Sequence, residues 1–305
     1  MDGIINIMKP PGMTSHDVIY SVRRSLKVKK AGHTGTLDPG AAGVLVVCLG
    51  RATRLAGFIT DYDKEYRAEI VFGTATDTGD SFGKVIRRDN PAFLTETALR
   101  TALPVFTGEI SQTPPMTSAI KVKGKKLYEL ARAGITVERQ ARRVTVKDLV
   151  YISGSGWGGE NPRAVIHVTC SKGTYIRTLC DDLGKHLGCA AHMSFLMRVR
   201  LGVFNLRESI LINDLWRKDP AEFIIPMEKA LPNLPEVIVK SGAVDAVKSG
   251  CKLFLPGVLK MPERLTPGTK AKLLGPDGLL AIAETAYDSE DNSRIIFKPL
   301  LVFSP

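Results

Sequence analysis

The stretch HTGTLDPGAAG, residues 33–43, is the most unusual segment of the 305-residue chain. At its centre, Asp38, Pro39 and Gly40 form a strong turn signal, because proline fixes φ at one position and glycine tolerates a positive φ at the next. A purely structural turn is the simpler interpretation of these residues alone. A catalytic aspartate on a loop is the alternative, and the surrounding sequence has to decide between the two.

A helix pattern precedes this stretch and a strand pattern follows it. Thr14 can cap the helix, with Asp17 three residues later and apolar residues recurring at helical spacing over residues 18–26. After the stretch, the alternation in YRAEIVF, residues 66–72, indicates a strand. Tyr66 is therefore expected on the apolar face of that strand.

The middle of the chain alternates between strand and helix patterns. Thr95 is positioned to cap a second helix, whose length is limited by Pro104. VTVKDLVYI (residues 144–152) and AVIHVTC (residues 164–170) have the pattern of strands, and TLCDDLGKHLG (residues 178–188) has that of a short helix. Over residues 193–201 the odd-numbered positions are apolar, which predicts a further strand with those side chains on one face.

The chain divides into two predicted domains. Four prolines fall between residues 216 and 236, which makes that stretch the expected boundary. We assign residues 1–230 to a larger domain and residues 235–305 to a smaller one. In the smaller domain, EVIVK, AKLLG, LLAIAE and RIIFKPLLVF are strand candidates separated by proline and glycine turns, so we expect a separate small β-barrel.

The charge of the chain favours a polyanionic partner. Lys and Arg number 42 against 31 Asp and Glu, which gives a formal net charge of +11. Neutralising phosphates releases counterions, so an excess of this size suits RNA or DNA. Basic proteins that bind no nucleic acid are nevertheless common, and charge alone leaves both options open. The basic residues occur in three bursts: Arg23, Arg24, Lys27, Lys29 and Lys30; Lys121, Lys123, Lys125 and Lys126; and Arg139, Arg142, Arg143 and Lys147.

The composition is that of an ordinary globular protein, and we expect it in the cytoplasm. No apolar run approaches the roughly 20 residues needed to cross a bilayer. The first residues lack the basic and apolar segments of a secretory leader. The five cysteines are odd in number, widely spaced and without a C-x-x-C pair, which argues against a disulfide framework.

Motifs for cofactors and metals are weak. GSGWGG, residues 154–159, has glycines at the spacing of a dinucleotide fingerprint, but a strand rather than a helix follows it, so a flexible hairpin is the better explanation. Cys189 and His192 have a metal-like spacing, yet zinc needs three or four ligands and no second pair is near. No Walker A sequence and no G-x-S-x-G elbow occur. We therefore expect no metal, no nucleotide and no other cofactor.

Five segments of the larger domain form an ordered series. They are NIMKPPGMTSHDV (residues 6–18), GHTGTLDPGAAGVLVVCLGRAT (residues 32–53), DKEYRAEIVFGTATDTGD (residues 63–80), PPMTSAIKVKGKKLYELARAG (residues 114–134) and CSKGTYIRTLCDDLG (residues 170–184). Taken in order, these segments resemble TruB-type pseudouridine synthases, and such a series is far more specific than any one of its members. The segment from about residue 237 to 305 resembles, less specifically, the PUA-like C-terminal domain of that family.

The resemblance implies a fold, an activity and a set of site residues. The fold would be α/β (α+β): a mixed, mainly antiparallel sheet with flanking helices, followed by the small barrel. The activity would be isomerisation of uridine 55 in the T-loop of tRNA on a flipped-out nucleotide, with Asp38 as the nucleophile. The sequence leaves the oligomeric state open, and we take a monomer as the default. Residues 121–143 would form an insertion that grips the RNA. The other implied site residues are Arg177 as the partner of Asp38, His33, Tyr66, Tyr175 and Leu196 around the target nucleotide, and Lys9 and Pro10 beneath the catalytic loop.

Two departures from the family pattern and two alternative functions remain. Thr117 stands where many relatives have tyrosine, and Asn6 stands where they often have an apolar residue or aspartate; both lie outside the loop of the nucleophile. One alternative is a non-catalytic RNA-binding or RNA-folding protein, which would not need Asp38 together with Arg177 and Tyr66. The other is a synthase for another RNA, such as ribosomal RNA or a guide-selected target, which these motifs do not separate from a tRNA enzyme.

Overall fold

The computed structural model describes residues 1–122, 124–288 and 294–303. Lys123 of the second basic burst and residues 289–293 and 304–305 of the tail therefore lie outside the described residues. Two large sheets organise the chain, one of 10 strands and one of six. Within the described ranges, no helix is long and apolar enough to span a membrane.

The first 211 residues supply the strands of the larger sheet and two small hairpins. These strands are β1 (Gly3–Lys9), β2 (Ala31–His33), β3 (Ala42–Leu49), β4 (Lys64–Phe72), β5 (Thr74–Thr76), β6 (Val85–Arg88), β7 (Gly108–Gln112), β8 (Lys121–Val122), β9 (Lys125–Lys126), β10 (Arg142–Ser155), β11 (Arg163–Cys170), β12 (Ala191–Leu201), β13 (Phe204–Asn205) and β14 (Ile210–Leu211). The helices are α1 (Ser15–Leu26), α2 (Ala56–Thr60), α3 (Glu96–Ala102), α4 (Leu127–Arg132), α5 (Ile176–His186) and, in the tail, α6 (Val244–Lys248).

The larger sheet has the strand order β14-β1-β3-β12-β4-β11-β10-β7, with β2 beside β3 and β13 beside β12. Within the described part of the larger sheet, only the β1/β14 and β3/β12 pairs are parallel, and the other pairs are antiparallel. Helices pack on this sheet; the buried face of α1, for example, shares a core with β1 and β3. The predicted mixed, mainly antiparallel sheet with flanking helices is confirmed.

Local sequence signals account for several of these elements. Thr14 and Asp17 form a reciprocal capping box at the start of α1, and Thr95 caps α3 by accepting from the backbone N–H of Ala98. The apolar face predicted for β4, which includes Tyr66, is buried. GSGWGG forms part of the connection between β10 and β11, as expected of a hairpin.

The prediction for β12 was wrong in one respect. Register shifts against β4 fall between Met193 and Phe195 and again between Arg198 and Arg200. A bulge of this kind moves the following side chains to the opposite face. Phe195 is consequently exposed, while Leu196 and Arg198 point into the core.

The tail forms the smaller sheet. Its strands are β15 (Glu236–Val239), β16 (Leu253–Phe254), β17 (Val258–Lys260), β18 (Lys270–Gly275), β19 (Gly278–Tyr287) and β20 (Ile295–Val302). They follow the order β16-β20-β19-β18-β15-β17. The two edge strands, β16 and β17, are joined by a short turn over Leu255–Gly257, which draws the edges of the sheet together. The predicted barrel-like tail is confirmed, although the short strands β16 and β17 were not foreseen.

The two sheets share a hydrophobic core. Leu279, Ile282 and Phe303 of the tail pack in one buried cluster with Ile4 and Val44 of the larger sheet. Polar contacts reinforce this interface. For example, Arg51 donates to the carbonyl of Phe303 at 2.6 Å. The tail was expected to be a separate unit, but its barrel-like sheet is anchored to the strands that carry the candidate site.

Candidate active site

Asp38 lies in the loop that joins β2 to β3. The residue before it, Leu37, is buried, and its backbone N–H donates to Ser15 Oγ at 2.9 Å. Ser15 Oγ in turn donates to the Leu37 carbonyl at 3.1 Å, and the N–H of Ala41 donates to the Asp38 carbonyl at 3.0 Å. The backbone on both sides of Asp38 is therefore fixed. The side chain of Asp38 keeps 36% of its surface accessible.

Arg177, in the first turn of α5, holds the carboxylate of Asp38. Its Nε lies 3.0 Å from one carboxylate oxygen, and a terminal nitrogen lies 3.4 Å from the other. The other N–H groups donate to the carbonyl of Thr78 at 2.9 Å and to the carbonyl (3.0 Å) and hydroxyl of Thr117. A second carboxylate, that of Asp80, lies 3.8 Å away. The guanidinium, whose side chain is 6% exposed, is thus fully occupied by acceptors.

The surroundings of Asp38 shift the pKa of its carboxyl group in opposite directions. Burial raises the pKa of its carboxyl above the usual value, and the Arg177 guanidinium counteracts this by favouring the charged form. Asp80 raises the pKa further by charge repulsion, whereas the Lys9 ammonium lowers it. The net result is a raised pKa for Asp38. Ionisation of this carboxylate therefore depends on its neighbouring cations.

Tyr66 and Leu196 lie together in the apolar wall of the site. Both are buried in the cluster that contains Leu37. Arg198 pairs with Tyr66 across β12 and β4, and its guanidinium donates to the carbonyls of Val44 and Gly35 at 2.7 and 3.1 Å. Burial raises the pKa of Tyr66, with Arg198 opposing the shift. The phenol of Tyr66 is consequently kept protonated.

His33 and Tyr175 are both partly buried. His33, on β2, has a lowered pKa, first because of burial and then because of the Arg198 charge, so its imidazole is neutral. Its Nδ1 is buried without a hydrogen-bond partner among the described residues. Tyr175 is half-buried just before α5, where its backbone N–H and carbonyl both bond to the side-chain amide of Gln112. The backbone of Tyr175 is thereby fixed next to Arg177.

Lys9 ties the end of β1 to the catalytic loop. Its ammonium is fully buried and donates to the carbonyls of Met13 at 2.6 Å, Pro10 at 2.9 Å and Pro39 at 3.2 Å. Burial lowers the pKa of Lys9 to about 8. Because Pro39 follows Asp38 directly, the ammonium of Lys9 connects the backbone of Pro10 to the loop of Asp38.

Sequence reasoning missed several contacts of the site. Asp80 is the last residue of DTGD (residues 77–80), which ends one of the five segments that resemble the family, so the resemblance could have indicated it. Arg198 is a basic residue whose inward position depends on the bulges of β12, which the sequence did not reveal. Thr117 was noted only as a departure from tyrosine, yet its hydroxyl accepts from Arg177. Ser15 lies in the first of the five segments that resemble the family, but no role was assigned to it.

The described residues offer no cluster of three or more potential metal ligands. His192, one half of the Cys189/His192 spacing, has its Nδ1 2.8 Å from the carbonyl of Thr74. The pair therefore serves packing and a backbone contact in the structure. What the site does offer is a partly accessible carboxylate with a bound guanidinium, beside a protonated phenol and an apolar wall.

Three family models match successive parts of the chain. Residues 23–176 match the N-terminal domain of the TruB family pseudouridylate synthases, and residues 177–232 match the tRNA pseudouridylate synthase B C-terminal domain. Residues 235–296 match the PUA domain. Full-length similarity extends beyond these segments. A tRNA pseudouridine synthase B of Pelotomaculum thermopropionicum is 56% identical over 308 residues, which cover 100% of this chain and 98% of that protein.

Other similar proteins and solved structures point to the same family. A tRNA pseudouridine synthase B of Symbiobacterium thermophilum is 52% identical over 250 residues, or 82% of each chain. Among solved structures, a chain of an H/ACA RNP bound to a substrate RNA containing 2'-deoxyuridine has a TM-score of 0.73 and 29% identity, and covers 99% of this chain and 85% of its own. A chain of a Cbf5-Nop10-Gar1 complex has a TM-score of 0.72 and 31% identity, with coverages of 99% and 85%. The protein therefore belongs to the TruB family of pseudouridylate synthases and is an isomerase that acts on RNA.

Proposed function

We propose that the protein converts uridine 55 in the T-loop of tRNA to pseudouridine, with Asp38 as the nucleophile. The reaction breaks the bond between N1 and the ribose, turns the base, joins C5 to C1′ and releases the C5 proton. It needs no redox step and no external energy, so one carboxylate and its supporting groups suffice. This is consistent with a site built from the side chains of the chain itself.

The two-point contact between Arg177 and Asp38 carries the proposal. A carboxylate that is partly desolvated needs a cation to stay charged, and a guanidinium provides one with fixed geometry. Attack on C1′ and abstraction of a ribose proton both begin from ionised Asp38. A protein that only binds or folds RNA has no use for a paired, accessible carboxylate beside a buried tyrosine.

The similarity to named relatives favours tRNA over other RNAs. The chains named tRNA pseudouridine synthase B reach 56% identity over the full length, whereas the chains from H/ACA and Cbf5 complexes reach 29 and 31%. In the T-loop the target base is stacked inside the folded elbow, so it must be flipped out at a cost of a few kcal/mol. The apolar wall of Tyr66 and Leu196 suits the flipped base, and the family resemblance adds Tyr175 and His33 to the residues around it.

The basic segments suit the phosphates of the T-arm. Lys121, Lys125 and Arg142 are exposed in and beside the insertion at residues 121–143, where charged side chains would contact the RNA backbone rather than the bases. We propose a catalytic domain over residues 1–230 and a PUA-like RNA-binding domain over residues 235–305, acting as a cytoplasmic monomer. The family matches that end at residue 232 and begin again at residue 235 support this division.

Replacing the nucleophile tests the proposal directly. We expect Asp38→Asn to abolish isomerisation and to leave tRNA affinity within a few-fold of the native value, because the amide keeps the shape but cannot act as nucleophile or base. Release of tritium from C5-labelled uridine in tRNA measures turnover, and filter binding measures affinity. Asp277→Asn, at an exposed turn of the tail, is the matched control and should react normally.

Turnover near the native rate in Asp38→Asn would refute the role of the carboxylate. The position in the RNA is tested separately, by carbodiimide mapping of total RNA from cells with and without the gene. Loss of the mark at uridine 55 of tRNA is the expected result. Loss only in ribosomal or other RNA would refute the tRNA assignment while leaving the chemistry of Asp38 intact.

A further inference from the structure

A large aromatic side chain stands exposed at the edge of the site without an assigned role. Phe82 lies in the loop between β5 and β6, and 79% of its surface is accessible. Exposed phenylalanines are usually scattered and need no explanation when they stand alone. Phe82 differs because of what its ring touches.

The ring of Phe82 lies directly on the catalytic turn. A Cβ placed on Gly40 would overlap the Cε2, Cζ and Cδ2 atoms of Phe82, so the edge of the ring occupies the space that a side chain at Gly40 would fill. Gly40 is two residues from Asp38 in the sequence and shares its turn. One edge of the ring therefore rests on the loop of the nucleophile, and most of the ring faces outward.

The loop that carries Phe82 is held rigidly. The backbone N–H of Phe82 donates to the carboxylate of Asp80 at 3.0 Å, and the same carboxylate accepts from the Thr78 hydroxyl at 2.7 Å. The loop is closed by the N–H of Asp77, which donates to the Lys84 carbonyl at 3.0 Å. An aromatic ring on such a loop is positioned in advance, so that contact with a ligand costs little conformational entropy.

Two exposed cations lie on the hairpin that carries the ring. Lys84 is two residues from Phe82 and Arg88 is at the opposite end of β6, and among the described residues neither forms an ion pair with a carboxylate. Aromatic rings interleaved with unpaired cations are typical of surfaces that bind unpaired nucleotides, because bases stack on the rings and phosphates meet the cations.

We propose that Phe82 is a stacking platform for an unpaired base of the RNA substrate, next to the flipped uridine. The uridine enters the pocket at Asp38, so its neighbours in the loop lie at the mouth of the pocket, where Phe82 is exposed. Stacking there stabilises the opened form of the RNA loop and compensates part of the cost of extruding the target. This assignment rests on the proposed function, since it requires an RNA loop at Asp38.

The test compares two exposed phenylalanines. We expect Phe82→Ala to weaken binding of a T-stem-loop RNA about tenfold and Phe82→Trp to preserve it, because an indole also stacks. Phe93→Ala is the matched control: Phe93 is 60% exposed and lies beside Gly188, beyond the far end of α5, whose first turn carries Arg177. Its RNA affinity should stay native.

A second set of measurements identifies the base. Each unpaired nucleotide of the stem-loop is replaced in turn by an abasic nucleotide, and both the native protein and Phe82→Ala are titrated with every RNA. The effect of Phe82→Ala on affinity should vanish for one abasic RNA, the one that lacks the stacked base.

An unchanged affinity of Phe82→Ala, or a loss of affinity that persists with every abasic RNA, would overturn the proposed stacking role of Phe82. A lower rate with unchanged affinity would also overturn it, by assigning Phe82 to support of Gly40. Turnover of tRNA by the native protein, measured in parallel, tests the proposed function independently.

Discussion

The guanidinium of Arg177 has as many acceptors as it has donors. Its five N–H groups face the two carboxylate oxygens of Asp38, the carbonyl of Thr78 and the two oxygens of Thr117. This arrangement fixes the plane of the guanidinium, and through it the orientation of the Asp38 carboxylate. A lysine ammonium could supply the charge but not five donors in one plane.

We therefore expect Arg177→Lys to lower the single-turnover rate about tenfold, and Arg177→Met to lower it further. The pKa of Asp38 is already raised by burial, and Arg177 is the main influence that lowers it. Activity requires the ionised carboxylate, which is lost as the pH falls through its pKa. Removing the cation raises that pKa, so the acid limb of the rate profile should move to higher pH in Arg177→Met.

The pH profile separates an electrostatic role from a structural one. Thermal melting of both variants has to accompany it, because loss of one partner of a buried ion pair destabilises a protein by several kcal/mol. A folded Arg177→Met protein with a native rate and an unmoved acid limb would show that Arg177 does not keep Asp38 ionised.

Lys9 shows how one side chain couples two elements. It ends β1, and its ammonium bonds to the loop before α1 and to the loop of the nucleophile. Removing it leaves the partly buried carbonyls of Pro10 and Met13 without this donor. We expect Lys9→Met to lower the free energy of unfolding by about 2 kcal/mol at pH 7, the typical cost of unsatisfied buried acceptors.

The pH dependence of Lys9→Met gives a sharper measurement. The pKa of Lys9 is lowered to about 8 in the folded protein, below the 10.5 of a free lysine. Between these values the unfolded chain binds more protons than the folded protein, so this group makes the native protein more stable as the pH rises through that window. The stability difference between native protein and Lys9→Met, measured by urea unfolding, should therefore widen from pH 8 to 10. A constant difference would mean that Lys9 is not titrating in this window.

Elements with local signals were predictable from the sequence, and those that depend on tertiary contacts were not. The capping box of Thr14 and the alternation around Tyr66 act within a few residues, and both elements formed as predicted. The bulges that turn Leu196 and Arg198 inward arise from pairing with β4, which is more than 100 residues earlier in the chain. For the same reason the pairing of Asp38 with Arg177 came only from family resemblance, since no local pattern links two such distant residues.

At the scale of the whole molecule, the tail is both a barrel-like sheet and a part of the larger core. The proline-rich stretch before it signalled a boundary, but composition gave no sign of the buried cluster that crosses it. Phe303 is 2% exposed in that cluster, together with Ile4 of β1 and Val44 of β3, the strand that follows the loop of Asp38. This packing predicts that the two sheets unfold together.

The two tryptophans make this prediction measurable. Trp157 and Trp216 both precede the tail, so their fluorescence reports on the larger domain alone. We expect Phe303→Ala to lower stability by about 3–5 kcal/mol, as for other buried phenylalanines, and to shift the denaturant midpoint of tryptophan fluorescence along with that of circular dichroism. Phe254→Ala, at a 46% exposed position of the same sheet, is the control and should shift neither midpoint appreciably. If the fluorescence midpoint stayed native in Phe303→Ala while circular dichroism showed early loss of structure, the tail would unfold by itself. The shared core would then contribute little to holding the strands around Asp38 in place.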